Sequence, residues 1–328
     1  MRAMVCSCFD GPAALAAGEL PDPRPGPCDV LVEVHAASIS YMDCLMVSGQ
    51  YQMRPQLPFA PGTDAAGVVV AVGNEVTRFR PGDRIACGDF IGAYAERIAV
   101  NQWQGTRIPD GVSFEVASTI RHAYGTAWYA LVDRAHLQAG ETVLVTGAAG
   151  GAGLACVDLA VHLGAKVIAG IGADEKTEIV RRYGAAEVLN YRRDDVRAKI
   201  KQFTDGRGVD VCFETVGGEL FEHMTRLMAW NGRLMPIGFA GGKIPSVSMN
   251  LPLLKNYSIV GVFTGAAMKH DPEATGHMYD ELMRLTAEGA LKPLIQEVLP
   301  LDQAPQAMQR LLDRKVNGRI VLLIRAPS

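Results

Sequence analysis

The stretch Val143-Leu144-Val145-Thr146-Gly147-Ala148-Ala149-Gly150-Gly151-Ala152-Gly153-Leu154-Ala155 decides how the chain is read, because an apolar run passes into a glycine-rich turn that opens a helix. That layout suits the pyrophosphate of a dinucleotide. Gly147 permits a tight exit from the strand, and Gly150 or Gly151 removes a side chain that would keep backbone N–H groups from phosphate oxygens. Gly153, after Ala152, lets the helix pack closely on the strand. The helix N-terminus adds unpaired N–H donors and the positive end of its dipole. Glycine-rich turns of this kind occur in many α/β proteins, so the neighbouring sequence has to decide.

Val157, Leu159, Ala160, Val161 and Leu163 give a helical apolar stripe ending at Gly164, and Lys166-Val167-Ile168-Ala169 predicts a second parallel strand. The pattern repeats: a helix over 174–183 leads to a strand over 187–191, a helix over 196–203 to a strand over 209–213, and the segment 219–230 to a strand over 232–237. Strands alternating with helices imply a doubly wound parallel sheet covered on both faces, a Rossmann domain over 123–263. Charge at the exit of its second strand speaks to the cofactor. A carboxylate there accepts hydrogen bonds from a ribose 2′-OH and repels a 2′-phosphate. Here the exit is Gly170-Ile171-Gly172, with no acid before Asp174, Lys176 close behind and Tyr191 ending the third strand. NADPH is favoured on that pattern. Lys176 is alternatively one of many solvated lysines, and Asp174 and Glu175 weigh against the preference.

The flanks have a different grammar. Runs over 30–36, 67–73 and 94–100 read as short strands between Pro- and Gly-laden turns, which predicts a partly open β-barrel over 1–122. The tail from 264 carries helices over 278–289 and 304–314 and a strand over 319–324. This is too little for a third domain, so 264–328 is expected to join 1–122, with an active site in the cleft between the two domains. Length (328 residues) suits two domains, and a net charge of −3 gives no reason to expect nucleic acid or an anionic membrane. No apolar run approaches the roughly 20 residues of a membrane-spanning helix, and no signal-peptide layout opens the chain. The seven cysteines are odd in number and never spaced C-x-x-C, so a reducing, cytoplasmic setting is expected.

Ser48-Gly49-Gln50-Tyr51, Pro61-Gly62-Thr63-Asp64-Ala65-Ala66-Gly67, Pro81-Gly82-Asp83-Arg84, the glycine turn, Gly164-Ala165-Lys166-Val167-Ile168 and Gly318-Arg319-Ile320-Val321, in this order, carry a resemblance over nearly the whole chain. The chain resembles the medium-chain dehydrogenase/reductase superfamily and, within it, the zinc-free quinone oxidoreductases related to zeta-crystallin. The resemblance implies a GroES-like barrel beside the Rossmann domain and a homodimer. It also implies NADPH-dependent reduction of quinones, enones or enoyl thioesters, with a small molecule as the only partner besides a second copy. An edge over 258–263 of the Rossmann sheet would suit pairing of two subunits. Zinc-dependent relatives place Cys, His and Cys where this chain has Ser40, Thr63 and His122, and their structural zinc lobe is absent between Cys87 and Tyr94. One imidazole does not make a site, so no metal is expected.

A quinone or conjugated enone accepts hydride at carbon and sends charge to an oxygen that needs only hydrogen bonds and a proton. Ser40 departs from the Asn common in the family at that position. Tyr41 falls where enoyl-reductase relatives often carry a proton-donating Tyr, although an aromatic wall is the alternative. His122 is either a donor at the vacated ligand position or a packed histidine. Tyr41, Ser40 and His122 are thus the candidate catalytic residues, with Asp43 and Asp64 expected as structural carboxylates. By resemblance the cofactor set is Thr126, Gly147, Gly150, Gly151, Ala152, Gly153, Lys176, Tyr191, Gly238, Phe263 and Arg314, the last joining Lys176 and Tyr191 around the 2′-phosphate. Trp128, Phe263 and Met268 also read as pocket lining or core. The alternatives are an acyl-thioester enoyl reductase or a non-catalytic NADPH-binding protein. RNA binding finds no basic stripe to support it.

Overall fold

The computed structural model describes residues 1–325 and divides the chain into two compact units, Met1–Gly125 with the chain from Gly265 onward, and Thr126–Thr264. In the first, strands β1 (Arg2–Val5) and β2 (Ala16–Glu19) form a small ribbon, followed by β3 (Asp29–Ser38), helix α1 (Tyr41–Val47), β4 (Asp64–Val72), β5 (Arg84–Cys87), β6 (Arg97–Asn101) and β7 (Gly105–Arg107). Helix α2 (Phe114–Ala117) and a π-helical stretch (Ile120–Tyr124) lead to α3 (Gly125–Trp128). The second unit continues with β8 (Thr142–Thr146), α4 (Gly151–His162), β9 (Lys166–Ile171), α5 (Thr177–Arg182), β10 (Glu187–Asn190), α6 (Val196–Phe203), β11 (Val209–Glu214), α7 (Gly218–Met224), β12 (Met228–Pro236), α8 (Asn250–Lys255) and β13 (Ser258–Ile259). After α9 (Thr264–His270) and α10 (Pro272–Ala287), the chain adds β14 (Ile295–Pro300), α11 (Ala304–Leu312) and β15 (Arg319–Leu323).

The second unit is a parallel sheet in the order β10-β9-β8-β11-β12-β13, the doubly wound arrangement in which the order reverses between β8 and β11. Both central strands are buried at every residue, because helices cover both faces of a parallel sheet. Leu189, Ile168, Leu144, Cys212 and Leu234, one from each of five adjacent strands, form a row that packs with Ile200 of α6 and with Phe221 and Met224 of α7. In the first unit β3 alternates buried Val30, Val32 and Val34 with half-buried neighbours, the period of a strand with one face on a core. It pairs with β4, β6 and β15, and two irregularities in its β4 register bend the sheet β14-β15-β3-β4-β5-β7 around that core.

Several boundaries differ from the sequence reading. The expected helix over 174–183 is a 3₁₀ turn (Asp174–Lys176) followed by α5, and the segment 219–230 is already strand from Met228. Trp230 is exposed and Asn231 has φ 59°, so the chain kinks inside β12 before its register with β11 resumes. Helix α10 starts at Pro272 rather than 278, with the Asp271 side chain accepting from the Ala274 N–H and Pro at the first turn, a start signal present in the sequence. Strand β14 was not expected. Its alternating, half-exposed residues carry too weak an apolar pattern, and its pairing with β15 creates it.

Candidate functional site

At the exit of β8, Gly147 adopts φ +61°, a conformation L side chains rarely take, and a Cβ there would also lie 2.5 Å from Thr215 Oγ1. A Cβ at Gly153 would stand 2.2 Å from the Gly147 carbonyl oxygen, so helix and strand can approach this closely only over a glycine. Gly150 is the N-cap of α4, and a Cβ there would meet only the Gly147 oxygen, at 3.4 Å. The protein does not fill that face, which leaves the first-turn N–H groups around Gly151 and Ala152 accessible to an anion. The turn therefore fits a dinucleotide pyrophosphate.

The turn is braced by a residue that the sequence reading missed. Glu214, fully buried at the end of β11, accepts from Thr146 Oγ1 at 2.9 Å and from the backbone N–H groups of Val216 (2.9 Å) and Gly217 (2.8 Å), while Thr215 Oγ1 donates to the Thr146 carbonyl at 2.8 Å. Burial pushes its carboxyl upward and these donors act against it. The signal available was an acid directly after the apolar run Val211-Cys212-Phe213. Gly238 follows β12, its N–H reaching the Glu214 carbonyl at 3.4 Å.

Where β9 ends, a Cβ at Gly172 would lie 3.0 Å from the Tyr191 hydroxyl, so the Tyr191 ring lies beside a side-chain-free exit. Lys176 closes the 3₁₀ turn that follows. Thr126 is half-buried in α3, and Phe263, beyond β13, is 52% exposed. Arg314 belongs to the first unit, just past α11, and its charge acts on the Tyr41 phenol.

In the first unit Ser40 is the N-cap of α1. Its Oγ accepts from the Asp43 N–H at 3.2 Å, and Asp43 Oδ2 accepts in return from the Ser40 N–H at 2.7 Å and from the Tyr94 hydroxyl at 2.8 Å. Ser40 Oγ and Thr63 Oγ1 approach to 3.5 Å. Asp64 Oδ2 accepts from the His122 N–H at 3.0 Å and Ser38 Oγ at 3.4 Å, and Arg319 Nη1 donates to the Ile39 carbonyl at 2.8 Å. Burial pushes the Asp64 carboxyl up to about 6, against the charges of Arg319 and Arg121. Burial, with Arg319 adding to it, pushes His122 down to about 3. His122 is therefore neutral at physiological pH and can offer only a neutral N–H. Tyr41 opens α1 half-buried, and burial raises its phenol above the usual value, with Cys44 adding to it and Arg314 opposing it. Met268 lies in this unit, where its sulfur accepts from Arg121 Nη2 at 3.3 Å and from the Tyr279 hydroxyl at 3.5 Å.

Two family models match, "Alcohol dehydrogenase GroES-like domain" over residues 26–110 and "Zinc-binding dehydrogenase" over 151–287. The quinone oxidoreductase-like protein 2 homolog of Nematostella vectensis is 42% identical over 90% of this chain and 82% of its own length. The chain belongs to the quinone oxidoreductases of the medium-chain dehydrogenase/reductase superfamily. Among solved structures, Escherichia coli quinone oxidoreductase complexed with NADPH superimposes with a TM-score of 0.91 at 28% identity, covering 99% of this chain and 100% of that one. A mycobacterial protein complexed with NADPH does so with 0.92 at 30% identity and the same coverage. The family is one of oxidoreductases, and its fold is a GroES-like barrel with a Rossmann sheet. A zinc ion does not fit this member. Ser40 and Thr63 are hydroxyl residues, His122 is a single imidazole, and among the described residues no group of three or more His, Cys, Asp or Glu is placed to hold a metal.

Proposed function

We propose that this protein is an NADPH-dependent, zinc-independent reductase of quinones or α,β-unsaturated carbonyl compounds. The observation that carries the reading is the donor set of the first unit, where the Ser40 and Thr63 hydroxyls, a neutral His122 and a protonated Tyr41 are hydrogen-bond donors rather than metal ligands. Such donors suit an acceptor whose oxygen gathers charge as its carbon is reduced. The glycine turn supports dinucleotide binding through Gly147, Gly150, Gly151, Ala152 and Gly153, and Thr126, Gly238 and Phe263 belong to the proposed nicotinamide side. Lys176, Tyr191 and Arg314 are the proposed partners of the 2′-phosphate. When bound, the cofactor supplies a hydride. Tyr41 keeps its proton through the physiological range because burial raises its phenol, so it can donate that proton, or a hydrogen bond, to an enolate oxygen. Ser40, fixed as the cap of α1, holds Tyr41 at the first turn of the helix.

Support for a homodimer comes from β13, which among the described residues pairs only with β12, and from the exposed Ile259 and Phe263 beside it. The seven free cysteines accord with a cytoplasmic setting. The test is NADPH consumption with 1,4-benzoquinone, an alkyl vinyl ketone and acryloyl-CoA, with and without a chelator. Turnover of either free acceptor, insensitive to chelation, is expected. Preference for acryloyl-CoA would make the protein an acyl-thioester reductase, and tight NADPH binding without turnover of any acceptor would leave it a non-catalytic binding protein.

A further inference from the structure

Asp174 stands in the way of the NADPH reading. It is the first charged side chain after β9, and an acid at that exit accepts from a ribose 2′-OH and repels a 2′-phosphate. Both of its carboxylate oxygens are engaged elsewhere. Oδ1 accepts from Asn190 Nδ2 at 2.8 Å, and Oδ2 is paired with the Arg193 guanidinium. Asn190 closes β10 and is nearly buried; its N–H donates to Asp194 Oδ2 at 3.0 Å, its Oδ1 accepts from the Arg192 N–H at 3.1 Å, and its carbonyl accepts from the N–H groups of Arg193 (3.1 Å) and Asp194 (2.8 Å). Arg193 Nε donates to Asp194 Oδ1 at 2.9 Å, so the guanidinium spans the two carboxylates.

We infer that Asn190 and Arg193 form a latch that occupies both oxygens of Asp174 and compensates its charge, making Arg193 a specificity-determining residue that acts on cofactor choice through Asp174. The inference rests on the NADPH reading, since only a 2′-phosphate gives the latch a purpose. An ordinary surface ion pair contributes little to stability, so a stabilising role is a weak reason for the arrangement. Its consequence is electrostatic: with the latch in place, the carboxylate at the exit of β9 faces a phosphate with its charge compensated, and each of its oxygens already accepts one hydrogen bond.

Calorimetric titration of NADPH, NADH, 2′,5′-ADP and 5′-ADP into wild type, Arg193→Gln, Asp174→Asn and the double variant tests this without reference to turnover. The two substituted side chains, Asp174 and Arg193, are both more than half exposed, so the variants should fold; circular dichroism melts check that they do. Arg193→Gln is expected to lower the preference for NADPH over NADH, and for 2′,5′-ADP over 5′-ADP, by about five- to tenfold, the size of one uncompensated carboxylate acting in a water-like dielectric on a phosphate carrying between one and two charges. Asp174→Asn is expected to keep or raise the preference, and the double variant, which lacks both charges, to return to about the wild-type value. A ratio within twofold of wild type in Arg193→Gln overturns the latch. So does a loss that persists in the double variant, because Arg193 would then hold the phosphate itself. Wild type binding NADH as tightly as NADPH would sink the cofactor reading separately, since the latch is judged by the change in ratio and not by its starting value.

Discussion

At Gly153 a methyl group would stand 2.2 Å from a carbonyl oxygen, whereas around Asp64 the chain packs the Ser38 hydroxyl, the His122 backbone N–H, a second carboxylate and two guanidinium groups into an interior where the carboxyl is pushed up to about 6. The first region does its work by having no side chains, so its function is carried by backbone N–H groups that any sequence with the right glycines would present. The second works through side chains whose properties depend on one another. Errors in the two regions should therefore look different. A defect in the turn should abolish cofactor binding outright, and a defect in the cluster should alter chemistry or pH response while binding persists.

The largest effect should follow Gly153→Val. Overpacking against backbone that cannot yield costs roughly 1–3 kcal/mol or more, and the displaced turn is expected to lose at least about a hundredfold in NADPH affinity by titration. A variant that still binds within tenfold would show that the turn relaxes and that the contrast with the first unit is weaker than argued. Next, Tyr41→Phe should leave NADPH affinity unchanged and lower enone turnover by about 10²-fold, the low end of general acid catalysis, with less loss on a reactive quinone whose reduced anion solvent can protonate. Equal turnover on the enone, under conditions where a deuterium isotope effect shows hydride transfer to limit the rate, would make Tyr41 a wall of the pocket. Lys176→Ala should weaken NADPH by about tenfold, as expected for a charge-assisted hydrogen bond, and leave NADH nearly unchanged; equal loss of both cofactors would place its effect in folding or adenine binding.

The smallest effect concerns pH. Asp64 has a folded pKa of about 6, above its unfolded value near 3.9, so its contribution to stability is fully present below that unfolded value and is lost as pH rises through about 6. His122 has a folded pKa of about 3, below its unfolded value near 6.5, so its contribution is present above 6.5 and is lost as pH falls toward 3. Between pH 4 and 6 the two oppose each other. Chemical denaturation at pH 4.5 and 6 should find Asp64→Asn relatively weaker at the lower pH than wild type, and His122→Gln relatively stronger there. Parallel pH profiles for the two variants would mean that neither group titrates as its burial implies.

The glycine turn and the alternation of strands and helices were legible because each is a local pattern: strand, turn and helix are written in consecutive residues, and a parallel sheet follows from their order. Asp43 was expected as a structural carboxylate only on the general ground that buried carboxylates find partners; the capping box with Ser40 that gives it that role came with the fold. Glu214 was missed. Val216 and Gly217 are near it in sequence, but Thr146 reaches it only when β8 and β11 lie side by side at the reversal of strand order, a pairing between residues 68 positions apart. The kink at Asn231 and strand β14 were missed for the related reason that a neighbouring strand decides them.

By itself the sequence determined that a dinucleotide-type turn exists at Gly147 to Gly153 and that Ser40, Thr63 and His122 cannot supply a zinc donor set, since steric freedom and ligand chemistry belong to residue types and their spacing. Whether an acid near the end of β9 is open or occupied, whether His122 carries a proton, and what braces the glycine turn were decided only by the tertiary structure. These are properties of fields and contacts, and they arise when Asp174 meets Asn190 and Arg193, when His122 is buried near Arg319, and when Glu214 meets Thr146. Charge and hydrogen bonding act over a few ångströms of space, and adjacency in space is what the fold creates.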